Sequence, residues 1–205
     1  GDIAGEGLIM TLNDQVQFVE GEERGYHDEL VNPAMNYVDN QDRVLILGGG
    51  DGLALRDVLR YPVNKVILVD LDPVVLDLAK KPPISILNEY AMYDPRVTVI
   101  QGDARKFLAE NVNAQWNVVI VDFPDPTYKG IIDLYSKQTV AALAKVIDRG
   151  GIISFHGTSN LKVAAKTLAL LKHHFLYTKA FRRPFKFIGN TVFLLASQRP
   201  LVLSE

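Results

Sequence analysis

Cysteine is absent from this chain of 205 residues, which removes disulfides, thiolate metal sites and cysteine nucleophiles from consideration. An excess of either charge is also missing. The 22 Lys and Arg against 24 Asp and Glu leave a net charge of −2, so neither a nucleic-acid surface nor a basic membrane patch is expected. No apolar run reaches the ~18 residues that a membrane-spanning helix needs. The opening Gly1-Asp2-Ile3-Ala4-Gly5-Glu6-Gly7 has no basic segment followed by an apolar one, so no secretory leader is read there and a cytoplasmic setting is expected. Repeats and low-complexity tracts are lacking too. What remains is 48% apolar and 22% charged, enough for one domain with a full core and a small appendage.

Against that plain background one stretch is unusual. Val44-Leu45-Ile46-Leu47 runs into Gly48-Gly49-Gly50-Asp51-Gly52, and a helical pattern (Leu53, Leu55, Val58, Leu59) follows at once. Glycines there let the backbone turn sharply and let a ligand press on bare main chain. A strand, glycine loop and helix in this order open nucleotide-binding α/β domains. Asp51 is the oddity: a carboxylate inside the loop repels phosphate, so the ligand it meets is expected to be a cation.

The rest of the chain fits a doubly wound, Rossmann-like α/β domain. Apolar strands are predicted at 43–47, 65–70, 96–100, 116–121 and 151–155, and helical periodicity at 51–60, 73–80, 103–110, 134–147 and 160–173. Two further strands, 177–181 and 191–197, have no helix between them and should close one edge antiparallel. Ahead of the glycine loop, 8–12 and 15–19 read as a hairpin turning at Asn13-Asp14, and Gly25 to Pro33 reads as a loop leading into a short helix. The expected division is 1–38 as an N-terminal hairpin and connecting segment, and 39–205 as the nucleoside-binding catalytic domain.

Acids stand at or just past successive strand ends: Asp51, then Asp70 and Asp72, then Asp103, then Asp122 and Asp125. In an open parallel sheet these ends share one edge, where ligands bind. An acid after a strand can equally be a helix N-cap, and Asp72 and Asp103 look like caps. Asp70, about 20 residues past the glycines, is placed to accept hydrogen bonds from ribose hydroxyls. In Asp122-Phe123-Pro124-Asp125-Pro126 two prolines stiffen the loop that carries both carboxylates, although turn chemistry alone also accounts for them.

At these residues the chain resembles the spermidine/spermine synthase family, the polyamine aminopropyltransferases. Gly48-Gly49-Gly50-Asp51-Gly52 is similar to the family's G-G-G-D-G, Asp70-Leu71-Asp72-Pro73 to its strand-ending acid and D-P, and Asp94-Pro95-Arg96-Val97 with Gly102-Asp103-Ala104 to D-P-R-V and G-D-A. Asp122 to Pro126 is similar to the D-L-P-D-P variant of D-S-S-D-P, Tyr26-His27-Asp28 to Y-H-E, and Gln17 to the glutamine of L-Q-F. The resemblance covers about residues 12 to 156. It implies transfer of the aminopropyl group of decarboxylated S-adenosylmethionine to a polyamine, with release of methylthioadenosine, no metal, no further cofactor and scope for a homodimer. It also implies roles. Gln17 and Asp70 would hold the ribose and Asp103 the adenine amino group. Asp51 and His27 would face the aminopropyl amine against the Gly48 and Gly50 backbone. Asp122 with Tyr26 would position and deprotonate the attacking amine, and Asp125 would anchor the acceptor.

Charge chemistry agrees with that implication. Decarboxylation leaves the nucleoside with an ammonium tail and no carboxylate, which Asp51 complements. Common methyltransferases carry an acid two places before the first glycine; here that place holds Ile46. A methyltransferase on the same fold, or a binding relative without catalysis, remains the alternative at this point. Other polar residues read more plainly. His173 and His174 end a helix, Trp116 is core, and Arg182 and Arg183 form a solvated edge. Tyr128 and Lys129 belong to a lid. His156 reads first as a polar strand end just past its strand, with substrate contact as the second reading.

Overall fold

Strands apolar on both faces need cover on both faces. The two that fit this best, Arg43–Gly48 and Trp116–Asp122, are neighbours in the middle of a seven-stranded sheet. The computed structural model describes residues 2–3, 7–12, 15–126 and 129–201. In chain order the elements are β1 (Asp2–Ile3), β2 (Gly7–Leu12), β3 (Gln15–Val19), α1 (Glu20–Tyr37), β4 (Arg43–Gly48), α2 (Leu53–Val58), β5 (Lys65–Asp70), α3 (Pro73–Leu78) and α4 (Ile84–Leu87). There follow β6 (Val97–Gln101), α5 (Ala104–Glu110), β7 (Trp116–Asp122), α6 (Lys129–Ile132), α7 (Lys137–Val146), β8 (Ile147–Thr158), α8 (Leu161–Lys172), β9 (Tyr177–Phe185) and β10 (Gly189–Ser197).

The main sheet runs β6-β5-β4-β7-β8-β10-β9. It is parallel from β6 to β8, while β10 pairs antiparallel with both β8 and β9, which is the expected doubly wound α/β fold with an antiparallel edge. The chain winds outward from β4 on one side and from β7 on the other. Strand order therefore reverses between them, and a crevice opens outside their C-terminal ends. Gly48 and Asp122 are register partners at that crevice.

Alternate residues of β4 supply the two cores. Val44 and Ile46 pack with Leu30, Met35, Leu53 and Leu55 beneath α1 and α2. Leu45 and Leu47 pack with Leu108, Leu143 and Leu171 beneath α5, α7 and α8. Each of these side chains is fully buried, worth roughly 2 kcal/mol apiece in water-to-core transfer. At the N-terminus β1, β2 and β3 form a separate antiparallel sheet. It contains the expected hairpin, whose Asn13-Asp14 turn lies outside the described residues.

The structure corrects the sequence reading in three places. Residues 25–33 are not a loop leading into a short helix; they lie inside α1, an 18-residue helix containing Gly21, Gly25 and Pro33. Glycine weakens a helix by about 1 kcal/mol and interior proline by about 3, so local propensity argued against it. Burial of Leu30, Val31, Ala34 and Met35 at 0% exposure outweighs that, and Glu20, Glu22 and Glu23 suit the positive end of the helix dipole. Second, β8 starts four residues before the expected 151 and runs on to Thr158, so His156 lies within the strand rather than after it. Third, α4 and the 3-10 turn Ala91–Tyr93 fill a stretch with no expected element. No helix among the described residues is long and apolar enough to cross a membrane.

Candidate active site

The glycine loop turns on left-handed backbone. Gly48, Gly49 and Gly52 have φ of +81°, +63° and +81°, a region that side-chain-bearing residues avoid. At Gly48 space forbids a side chain as well, because a Cβ there would collide with the backbone oxygen of Asp122 on the neighbouring strand. Gly48→Ala is therefore expected to lower stability by about 2–4 kcal/mol, read as a shifted urea midpoint; a shift worth under 1 kcal/mol would show that β4 and β7 can part at no great cost. Gly50 fills a different need. Its N–H donates to Asp70 Oδ2 at 3.0 Å, and a Cβ would stand 2.7 Å from the Asp70 carboxyl carbon.

Five acids from four strand ends line one cavity of about 840 Å³ at the crevice: Asp51, Asp70, Asp103, Asp122 and Asp125. Asp51, Asp70 and Asp103 are each held by a main-chain N–H two residues on. Asp51 Oδ1 accepts from Leu53 N at 2.9 Å, which closes the start of α2 to an incoming anion. Asp70 Oδ1 accepts from Asp72 N at 2.8 Å, and its oxygens keep free lone pairs toward the cavity. Asp72 also lines the cavity and caps α3, as expected. Asp103 caps α5, as expected, lines the same cavity, and is gripped by the Arg105 guanidinium, Nη2 to Oδ2 at 2.6 Å. Asn88, fully buried and not singled out in the sequence, donates to the carbonyls of Asp51 and Ala79, both at 2.8 Å, and braces the glycine loop from behind.

The loop after β7 is stiffened from below. Phe123 is core, and Tyr135 donates to the carbonyls of Phe123 and Pro124, both at 3.2 Å. Over it, α1 delivers Tyr26 and His27, and β8 delivers His156. Tyr26 Oη lies 2.5 Å from His156 Nδ1 and accepts from Gly157 N at 3.1 Å. His156 Nε2 lies 3.4 Å from Asp125 Oδ1, and its Nδ1 lies 3.8 Å from Asp122 Oδ1. His156 is thus part of the site, against its first reading as a plain strand end.

His27 is buried, and its Nδ1 is 2.7 Å from the Glu23 carbonyl, which can only accept; Nδ1 therefore carries hydrogen and Nε2 faces Asp122 at 4.0 Å. Behind it lies a buried charge cluster that the sequence did not reveal. Arg56 donates through Nε to Asp57, through Nη1 to Glu23 and the Leu87 carbonyl, and through Nη2 to Glu23 and Asp57. These bonds use every N–H of the guanidinium.

Electrostatics follow from this crowding. Burial above all, then the charges of Asp122 and Asp70, raise the Asp51 pKa to about 6, although His27 and the Leu53 N–H oppose the rise. Burial also raises Asp70. For His27 burial alone would depress the imidazolium, but Glu23, Asp122 and Asp51 outweigh it and bring its pKa to about 9. Tyr26 is pushed well above its ordinary value by burial and by Asp122. A pocket that holds carboxylates at such cost is short of positive charge and suits a cationic ligand.

Three expected residues lie wholly or in part outside the described residues. The side chain of Gln17 lies outside the described residues, although its backbone is in β3, and so do Tyr128 and the side chain of Lys129. Among the described residues no group of three or more His, Asp or Glu is arranged to hold a metal ion.

Comparison with known proteins agrees with this geometry. Residues 23–181 match the spermine/spermidine synthase domain. A polyamine aminopropyltransferase 2 of Ralstonia nicotianae is 42% identical over 156 residues, covering 75% of this chain and 30% of that protein. A polyamine aminopropyltransferase of Leptospira interrogans is 34% identical over 202 residues, covering 95% of this chain and 40% of that protein. The chain thus spans less than half the length of these curated relatives. A crystal structure of spermidine synthase in complex with the transition-state analogue AdoDATO superposes with a TM-score of 0.90 at 24% identity, covering 97% of this chain and 69% of that one, which establishes a shared fold. With the domain matched over most of its length and relatives of this identity covering three quarters of it or more, the chain belongs to the spermine/spermidine synthase family.

Proposed function

We propose that this chain transfers the aminopropyl group of decarboxylated S-adenosylmethionine to the amine of a polyamine and releases methylthioadenosine. The observation that carries the reading is the meeting of Asp51, Asp70, Asp122 and Asp125 around one cavity at the strand-order reversal. A sulfonium nucleoside with an ammonium tail and a polyamine together bring enough positive charge to answer that cluster. Asp70 takes the ribose hydroxyls, Asp103 the adenine amino group and Asp51 the aminopropyl ammonium, while His27, a cation at neutral pH, is assigned to that end on its family position alone. Gln17 is assigned to the ribose on its family position alone.

The acceptor must lose a proton before it can attack. An alkylamine has a pKa near ~10, so a neutral nitrogen at pH 7 costs about 4–5 kcal/mol. The sulfonium charge beside it lowers that cost, and Asp122 takes the proton as the nitrogen attacks the carbon next to sulfur in line. Tyr26 orients the nitrogen, and Asp125 holds the distal ammonium.

Incubation with decarboxylated S-adenosylmethionine and putrescine, spermidine or cadaverine is expected to release methylthioadenosine with at least one acceptor. Release with none of them rules the reading out. Calorimetry adds a sharper test at Asp51. The decarboxylated nucleoside should bind at least about tenfold more tightly than S-adenosylmethionine, whose carboxylate meets Asp51, and its affinity should fall as pH drops through about 6 and Asp51 takes up a proton. Tighter binding of the carboxylated form would instead favour a methyltransferase.

A further inference from the structure

His156 occupies the place between Tyr26 and the two carboxylates of the Asp122–Asp125 loop, with Nδ1 at 2.5 Å from the tyrosine oxygen and 3.8 Å from Asp122, and Nε2 at 3.4 Å from Asp125. Tyr26 comes from α1, with His27 behind it across Asp122. Asp122 ends β7, Asp125 follows on the loop, and Tyr135 lies beneath that loop. The adjacent strand β10 brings Thr191 and Phe193 beside Gly157, neither of them charged. The ring therefore sees two carboxylates, two phenols and one neighbouring imidazole.

We propose that His156 is the counter-charge of Asp122 and Asp125 until an acceptor binds, and that it gives up its proton when an ammonium of a polyamine takes its place against the same carboxylates. The proposal rests on the function given above and adds a stoichiometry to it: binding of the acceptor releases a proton. An ammonium entering against the carboxylate oxygens that His156 faces repels the imidazolium and competes with it for them, and the imidazolium is the group with the more acidic proton of the two. Burial by itself would favour the neutral ring, but hydrogen bonding and charge from Asp122 and Asp125 win, and the His156 pKa is raised. The same ring holds Asp125 down: burial pushes that carboxyl up, and the hydrogen bond and charge of His156 with the Thr158 hydroxyl more than reverse it.

Loss of the proton also re-aims Tyr26. Its oxygen already accepts from Gly157 N–H. Against an imidazolium it must accept from Nδ1–H as well, leaving no lone pair for substrate. Against the neutral ring the hydroxyl donates to Nδ1, Nε2–H stays on Asp125, and one lone pair of Tyr26 is released toward an acceptor N–H. His156 so couples the charge of the cavity to the orientation of the residue that positions the nucleophile. In the reaction balance the ammonium keeps its own protons at this stage, and the proton from Nδ1 passes to solvent.

The test is calorimetry with spermidine in the presence of methylthioadenosine, repeated in buffers of different ionisation enthalpy. At pH 6, below the ordinary histidine value and so below the raised one, the protein is expected to release up to one more proton per spermidine than His156→Gln does, and its affinity should weaken by up to about tenfold per pH unit as pH falls further, a slope the variant lacks. Equal proton release by the two proteins overturns the proposal while leaving the proposed function standing. Absence of any spermidine, putrescine or cadaverine binding overturns both. Ring-nitrogen NMR of the unaltered protein, which has four histidines, reads the same event without a variant. One imidazolium should become a neutral ring on adding spermidine, and four unchanged rings would refute the exchange.

Discussion

Asp122→Asn is expected to lower kcat for methylthioadenosine release by about 10²–10⁴-fold while the affinity for decarboxylated S-adenosylmethionine changes by less than about threefold. Asparagine keeps the shape and the hydrogen-bonding reach of the side chain but cannot take a proton. The stiff frame around it should not move: Phe123 stays in the core, Tyr135 keeps its bonds to the loop carbonyls, and Asp122 retains its register with Gly48. With proton removal from an alkylamine costing about 4–5 kcal/mol at pH 7, the missing acceptor falls on the chemical step. Raising the pH toward ~10, where the free amine supplies its own neutral fraction, should recover part of the rate. Weakened nucleoside binding at unchanged kcat would mean that Asp122 serves the cosubstrate rather than the nucleophile.

Arg56→Met should lower stability by about 3–5 kcal/mol, a large share of the 5–15 kcal/mol available to a domain. The guanidinium is 1% exposed and spans Glu23 on α1 and Asp57 on α2, so its removal strands two buried carboxylates. Urea unfolding checks the magnitude, and Glu23→Gln in the same background should return part of the loss because one stranded charge is gone. A loss under about 1 kcal/mol would show that water reaches the cluster and replaces the arginine.

The pH dependence has a definite sign. At Glu23 burial pushes up, but hydrogen bonds from His27 and Arg56 outweigh it and lower the pKa from 4.5 to about 2, so its contribution is present above 4.5 and disappears as pH falls toward 2. His27 is raised from 6.5 to about 9, so its contribution is full below 6.5 and disappears as pH rises through 9. The cluster therefore supports the fold best between about pH 4.5 and 6.5. Arg56→Met should narrow that advantage, since Glu23 then keeps only His27 of the two cations that lower it.

Much of this protein was legible in its sequence because the relevant interactions are local. Both-face apolar runs have to be central strands, and Gly48 to Gly52 have to turn. Acids at successive strand ends share an edge in any open parallel sheet, so Asp51, Asp70, Asp103, Asp122 and Asp125 line one cavity as anticipated. The resemblance in those same segments pointed to the family that the comparisons bear out.

Other features depend on partners far apart in the chain. Helix α1 passes through Gly25 and Pro33 because four buried side chains hold it against the sheet, and no window of local propensity contains that packing. His156 meets Tyr26 across 130 positions, and Arg56 meets Glu23 across 33. Asn88 reaches the glycine loop from a stretch with no expected element. Sequence by itself determined the fold class, the loop and the edge on which the carboxylates gather, since periodicity and backbone sterics act between near neighbours. Tertiary structure alone decided which imidazoles and which guanidinium answer those carboxylates, since charge pairing acts through space and leaves no period in the chain.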